Sequence, residues 1–242
     1  MNSSPVSPKR PNYGIDAPNL VLRFLLIGTI GSTFAFAFSS KGTVLPLAQF
    51  FVGPYLTFLL MAMVMIWGSK VGKLRLRDKV INSIPWRGDE NVLDVGCGRG
   101  LMLIAAAKRL GSGNASGIDL WQKVDQSGNS REATLQNVRL ENVSNRVALC
   151  DGDVRSLPFT DNSFDVVLSS WALHNIYDRA GREGAIREIV RVLKPGGRLA
   201  IIDIRHIREY AKVLRESRIR NVRRSDPNFL FVIPTFTLTA TK

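Results

Sequence analysis

Three acids and a run of glycines define the chemistry open to this chain. Gly96-Cys97-Gly98-Arg99-Gly100 sets glycines at alternate positions, and Asp94 lies two residues before the first of them. Glycines spaced this way let the backbone turn sharply and approach a ligand closely. A helix starting directly after such a turn offers free N–H groups to a polar or negative part of that ligand. Asp119 follows in Ser116-Gly117-Ile118-Asp119-Leu120, and Asp153 in Asp151-Gly152-Asp153-Val154. A carboxylate accepts through two oxygens, so Asp119 can hold both hydroxyls of a ribose. Asp153 can accept from an adenine amino group while Val154 lies on the ring; Asp151, two residues earlier, competes for that role. Ser169-Ser170-Trp171-Ala172-Leu173-His174-Asn175 adds a histidine able to act as a general base. The plain alternative for His174 is polar packing on a helix. His206 is a weaker candidate base.

The elements that must position these residues are legible around them. Val92-Leu-Asp-Val95 reads as a buried strand, and Leu101 to Leu110 as a helix of strong formers ended by Gly111. Strand, glycine turn and helix open a doubly wound sheet. The residue after Gly100 is Leu101, so the dinucleotide spacing of glycine, one residue, glycine, two residues, glycine fails. Further strands are expected at Ser116–Leu120, Arg146–Cys150, Asp165–Ser169 and Arg198–Asp203, with a turn at Lys194-Pro195-Gly196-Gly197. Arg208–Ser217 reads as a helix. Ile219–Arg224, Phe229–Ile233 and Phe236–Ala240 are strand candidates. Trp121–Ser130 is a long link that either folds over the site as a lid or forms a surface loop.

The ordered set Val92-Leu-Asp-Val-Gly-Cys-Gly-Arg-Gly100, Gly117-Ile-Asp119, Gly152-Asp153-Val154, Leu157-Pro-Phe159 through Asp165-Val-Val167, and Leu193-Lys-Pro-Gly-Gly197 resembles the class I S-adenosylmethionine-dependent methyltransferases. The resemblance extends to the methyltransferase type 11 group, which contains ubiquinone and menaquinone C-methyltransferases, and covers about Arg77 to the C-terminus. It implies an α/β, Rossmann-like sheet of seven strands whose antiparallel last strand, Phe236–Ala240, inserts between its neighbours. It also implies S-adenosylmethionine as cofactor. Asp94, Gly96, Cys97, Gly98 and Gly100 would line its methionine end, with Ser170 and Trp171 nearby. Asp119 and Leu120 would take the ribose, and Asp153 and Val154 the adenine. The cofactor is already activated, so the protein mainly positions the nucleophile and excludes water.

The N-terminal part follows other rules. Residues 20–68 carry only two charges, Arg23 and Lys41. Leu20–Phe38 and Val44–Trp67 are each long enough to cross a bilayer of roughly 20 residues' thickness. Ser39–Thr43 separates them, which gives a two-helix transmembrane hairpin at 20–68, after a flexible tail at 1–19 and before the methyltransferase domain at 69–242. Lys9, Arg10 and Arg23 precede the first helix, and Lys70, Lys73, Arg75, Arg77 and Lys79 follow the second. That asymmetry places the catalytic domain on the cytoplasmic side and the basic cluster against anionic lipid. A signal peptide, a monotopic insertion and a soluble helical cap are the competing readings.

The net charge of +13 fits an anionic partner surface. Crowded arginines from Arg205 to Arg224 raise nucleic acid as a partner. The Asn-Pro-Pro-Tyr type of motif of amino-directed base methyltransferases does not follow the fourth strand, so membrane docking is preferred. Two cysteines cannot form a disulfide framework, and no metal site is read. The expected function is methyl transfer to a small or lipophilic acceptor. The alternatives are a membrane scaffold that binds the cofactor without turnover and a nucleic-acid methyltransferase.

Overall fold

The computed structural model describes residues 10–39, 45–122, 126–229 and 233–242; side chains 35, 38, 39 and 45–52 lie outside that description. Two long apolar helices come first, α1 (Pro18–Ser39) and α2 (Leu45–Trp67). They run antiparallel, and glycine sets their approach. A Cβ on Gly28 would come 2.6 Å from Leu59, and one on Gly31 would come 2.1 Å from Tyr55. Small residues let apolar helices close in this way without a hydrophobic drive between them. Phe24 and Phe58 meet beside this contact, with ring centroids 5.6 Å apart. The hydroxyls of Thr33 and Thr57 donate to the carbonyls of Thr29 and Gly53 one turn back, which satisfies them without water.

One π-helical turn, Gly68–Gly72, joins α2 to α3 (Lys73–Ser83). Among the described residues, one helical run, Gly53–Ser83, is long and apolar enough to cross a membrane, and Pro18–Phe34 is a shorter apolar helix. The expectation of two spans is therefore supported for one helix only. The expected break at 39–43 falls almost wholly outside the described residues.

The C-terminal part holds a seven-stranded sheet in the order β3-β2-β1-β4-β5-β7-β6. Its strands are β1 (Asn91–Val95), β2 (Asn114–Asp119), β3 (Val147–Asp151), β4 (Phe164–Ser170), β5 (Leu193–Asp203), β6 (Arg220–Arg224) and β7 (Phe236–Thr241). β7 runs antiparallel between β5 and β6, as expected of the last strand. The helices α4 (Leu101–Ala107), α5 (Arg131–Leu140), α6 (Arg179–Val192) and α7 (Ile207–Glu216) connect the strands. Leu93, Val95, Val167, Leu199 and Ile201 face one core with α6 and α7, while Val92, Val166, Leu168 and Ala200 face a second core with α3 and α4. Burial on both faces explains the near-continuous apolar strands. The Lys194–Gly197 turn is an irregularity inside β5, with Gly196 at φ 78°. Residues 230–232 of the expected Phe229–Ile233 strand lie outside the described residues.

Two expectations about exposed segments change. Residues 10–17 are not a loose tail but a strap laid across the domain. Tyr13 is buried and donates to Glu141, while Asn12 exchanges hydrogen bonds with Asn137. Lys73 is also not part of a lipid-facing basic cluster. It is buried, and its Nζ donates to Tyr13 O, Gly14 O and Asp16 Oδ2 at 2.7, 3.0 and 3.0 Å. Arg77 likewise turns inward, over the Tyr13 ring. The arginines of 220–224 line the outer strand β6, where charge discourages edge-to-edge pairing. Arg224 lies over Phe236. Their position at a sheet edge explains them without a membrane contact.

Candidate functional site

The C-terminal ends of β1, β2 and β4 converge on a cavity of about 700 Å³. Gly96, Cys97, Gly98, Asp119, Leu120, Asp153, Val154, Ser170, Trp171 and His174 all line it. This edge, where the strand order reverses beside β1, is where doubly wound sheets bind ligands. Gly96 has φ 68°, and a Cβ there would sit 2.1 Å from Ala172 Cβ. The loop thus comes so close to the segment after β4 that only glycine fits. Gly98 also has positive φ, with its N–H turned toward Asp119.

Asp119 organises this end. One carboxylate oxygen accepts the Gly98 N–H at 2.7 Å and the other accepts the Trp121 N–H at 2.6 Å. Each oxygen has a second lone pair, so the acid can bind two hydroxyls while fixing the loop. Asp153 caps the short turn Val154–Ser156 and pairs with Arg155, whose guanidinium holds its carboxyl below the usual carboxylate range. Asp151, its competitor, bonds the Trp121 indole at 2.6 Å and is absent from the lining of this cavity.

Asp94 and Gly100 do not line the cavity. Asp94 is fully buried beneath the loop and accepts the Leu103 N–H at 2.8 Å, tying β1 to the first turns of α4. Burial pushes its carboxyl up to about 8. Gly100 is the left-handed residue that starts α4, against Ile104 and Thr134. Both shape the loop from behind. Cys97 is buried under the same turn, and burial pushes its thiol well up, which leaves it an inert small residue.

His174 faces the cavity with a partner the sequence did not single out. Its Nδ1 lies 2.6 Å from Oδ1 of Asp203, which is fully buried at the end of β5; the contact is close but too bent for a straight hydrogen bond. The other Asp203 oxygen accepts the His174 backbone N–H at 3.1 Å. With Nδ1 on the carboxylate, Nε2 is the nitrogen left for a ligand. Arg182 of α6 secures this segment from below: it forms a two-pronged pair with Glu209 and donates to the carbonyls of Ile176 and Tyr177. His206 starts α7 in a left-handed conformation beside Glu209 and is absent from the cavity lining.

The Trp121–Ser130 link contributes Gln122, Gln126 and Asn129 to the lining; residues 123–125 lie outside the described ones. The strap pins it. Ser127 N–H donates to Ile15 O while its hydroxyl accepts the Ile15 N–H, Gln126 donates to Tyr13 O, and Arg99 reaches Asn12 O and Gly128 O. Asp16 and Lys73 also face the cavity. Of these contacts, those made by the strap itself span 57 residues or more in sequence, so no local pattern announces them.

An α/β sheet with an inserted antiparallel strand, a glycine loop and acids at the tips of successive strands define a nucleotide-cofactor domain. Residues 93–201 match the family model described as "Methyltransferase domain". A demethylmenaquinone methyltransferase of Lactobacillus johnsonii is 34% identical over 128 residues, 52% of this chain and 49% of that protein. A 27-O-demethylrifamycin SV methyltransferase of Amycolatopsis mediterranei is 36% identical over 132 residues, 53% of this chain and 44% of that protein. The chain thus spans about half the length of the curated relatives it matches. The crystal structure of the [4+2]-cyclase SpnF superposes with TM-score 0.59 at 22% identity, covering 70% of this chain and 81% of that one, a likeness of fold alone. Over residues 93–201 the chain is similar to methyltransferase domains. The helices α1 and α2 lie outside the matched segment.

Proposed function

We propose that the protein transfers the methyl group of S-adenosylmethionine to a lipophilic small molecule, with the domain held at a membrane surface. One observation carries this reading. A single cavity joins the glycine loop and Asp119 to His174 and to the apolar residues Leu20, Phe24 and Met65 of the helix pair.

The residues present fit the cofactor. Gly96 and Gly98, both at positive φ, line the cavity with their backbone, and Asp119 keeps lone pairs for a ribose. Gly96 and Gly98 would receive the methionine part, Asp119 and Leu120 the ribose, and Asp153 and Val154 the adenine. When bound, S-adenosylmethionine supplies a methyl group on a sulfonium centre, already primed for displacement.

The chain's own work is then orientation and proton handling. Trp171 and Ser170 wall the cavity between the two ends. His174 Nε2 would accept the proton of an acceptor hydroxyl or acidic carbon. Asp203, 2.6 Å from Nδ1, would stabilise the imidazolium that forms. Arg182 and Glu209 keep the histidine segment in place.

The helix pair supports membrane attachment. Its outer surface exposes Leu22, Leu26, Ile30, Phe34, Leu56 and Leu60, and exposed apolar patches of this kind mark membrane or partner contacts. Arg10, Arg23, Lys70, Arg75 and Lys79 flank it, the arrangement that keeps a domain on the cytoplasmic side. The test is incubation of the protein with methyl-labelled S-adenosylmethionine and a total lipid extract. Label in a lipid-soluble product supports the reading; cofactor binding with no labelled lipid overturns the acceptor class.

A further inference from the structure

The cavity has two chemically different ends. Polar groups of the sheet edge form one. At the other, Leu20 and Phe24 of α1, Met65 of α2, Ile204 and Ile233 form a wall with no charged side chain among them. Lys73 and Asp16 of the same lining neutralise each other at 3.0 Å. Leu20 and Ile233 are 38% and 43% exposed, so this apolar end opens to the outside. It opens at the foot of α1 and α2, and the exposed Ile27 continues the Leu20 face of α1.

An opening that served a water-soluble acceptor would present polar groups to its solvent. This one continues from His174 into the surface the proposed function assigns to lipid. Phe24 carries the wall onto α1, where its ring meets Phe58 of α2.

We infer that the foot of the helix pair is a lipid-side portal and chain-binding site. A membrane-resident acceptor enters laterally between Leu20, Phe24, Met65 and Ile233. Its apolar chain stays along α1 and α2 while its ionisable head reaches His174. The inference rests on the proposed function for the identity of the head. The chain site itself is a separate claim about α1 and α2.

The test uses the full chain in phosphatidylcholine vesicles, saturated with S-adenosylhomocysteine. The probe is a hexadecylphenol carrying a photoreactive diazirine at the first carbons of its chain. Expected are cross-links at Leu20, Phe24 and Met65, competed by unlabelled hexadecylphenol but not by phenol itself. Leu20→Trp and Met65→Trp, which fill the portal, should lower that labelling about tenfold while S-adenosylhomocysteine affinity, measured on the same samples, shifts less than about twofold. Cross-links confined to outward positions such as Leu26 and Ile30, uncompeted, overturn the portal. So does labelling that the tryptophan variants leave unchanged. A protein that binds no S-adenosylhomocysteine overturns the proposed function instead, whatever the cross-linking pattern.

Discussion

Replacing Asp119 with alanine tests the nucleotide end of the site at its centre. The carboxylate makes two short bonds to the backbone, to Gly98 N–H at 2.7 Å and to Trp121 N–H at 2.6 Å, and its remaining lone pairs face the cavity. Hydrogen bonds to a charged partner contribute about 1.5–3 kcal/mol each. Two ribose hydroxyls would together bring about 3–6 kcal/mol, but neighbouring bonds are not additive. A loss of about 2–4 kcal/mol is the working value, which is about 30- to 1,000-fold in affinity. Releasing the Gly98 N–H loosens the same loop and acts in the same direction. Isothermal titration with S-adenosylhomocysteine reads the change, and urea unfolding checks that the fold persists. Asp119→Asn keeps one acceptor and should fall between wild type and alanine. Asp151→Ala, whose carboxylate is spent on the Trp121 indole, should bind normally. An Asp119→Ala protein that binds within about twofold of wild type, or an Asp151→Ala protein that does not bind, refutes the assignment.

Further expectations follow from the same contacts. Gly96→Ala forces a Cβ to 2.1 Å from Ala172 at a positive φ, so stability should drop by about 1–3 kcal/mol in urea unfolding, with partial recovery in the Gly96→Ala/Ala172→Gly pair. Asp94 binds its proton more tightly in the fold, with a value of about 8 against an ordinary 3.8. The folded state then holds more protons between those values, so stability falls as pH rises from about 4 to 8. Asp94→Asn should flatten that slope in unfolding curves across this range; an unchanged slope contradicts the buried neutral acid. His174→Gln should lower kcat about 10²- to 10⁴-fold with cofactor affinity intact, and Asp203→Asn should lower it by removing the charge beside the imidazolium. Equal loss of cofactor binding in both variants would make the pair structural. Lys73→Met removes the cation beside Asp16 and one donor from the carbonyls of Tyr13 and Gly14. Chymotrypsin should then cut after Tyr13 faster than in wild type.

What was readable in the sequence was what local pattern can carry. Gly96, Gly98, Asp119 and Asp153 sit at the ends of short apolar runs, and in a parallel sheet such ends share one edge. Their order along the chain therefore placed them together before any coordinates. Asp94 belongs to the same motif but lies one residue inside β1, and alternation turned it toward α4 and Leu103. A motif position does not tell which side of the strand it serves. Asp203 was visible only as the end of the fifth strand. Its pairing with His174 follows from β4 lying beside β5, where Ser170 is level with Ile202. The Lys73–Asp16 clamp had no such signal. A lysine just past an apolar helix reads as a membrane-facing cation, and only the π turn at Gly68–Gly72 swings it inward. The same limit applies to the tail, whose polar residues look solvated until Asn137, Glu141 and Arg99 are found waiting for them.

The central claim is that the cavity joins a methyl donor to a lipophilic acceptor. The most direct measurement is transfer of labelled methyl from S-adenosylmethionine into membranes reconstituted with the full chain, beside His174→Gln as control. Label should enter the lipid-soluble fraction with wild type and fall at least about a hundredfold with the variant. Cofactor binding without any label in that fraction, or labelling that the variant leaves intact, would contradict it.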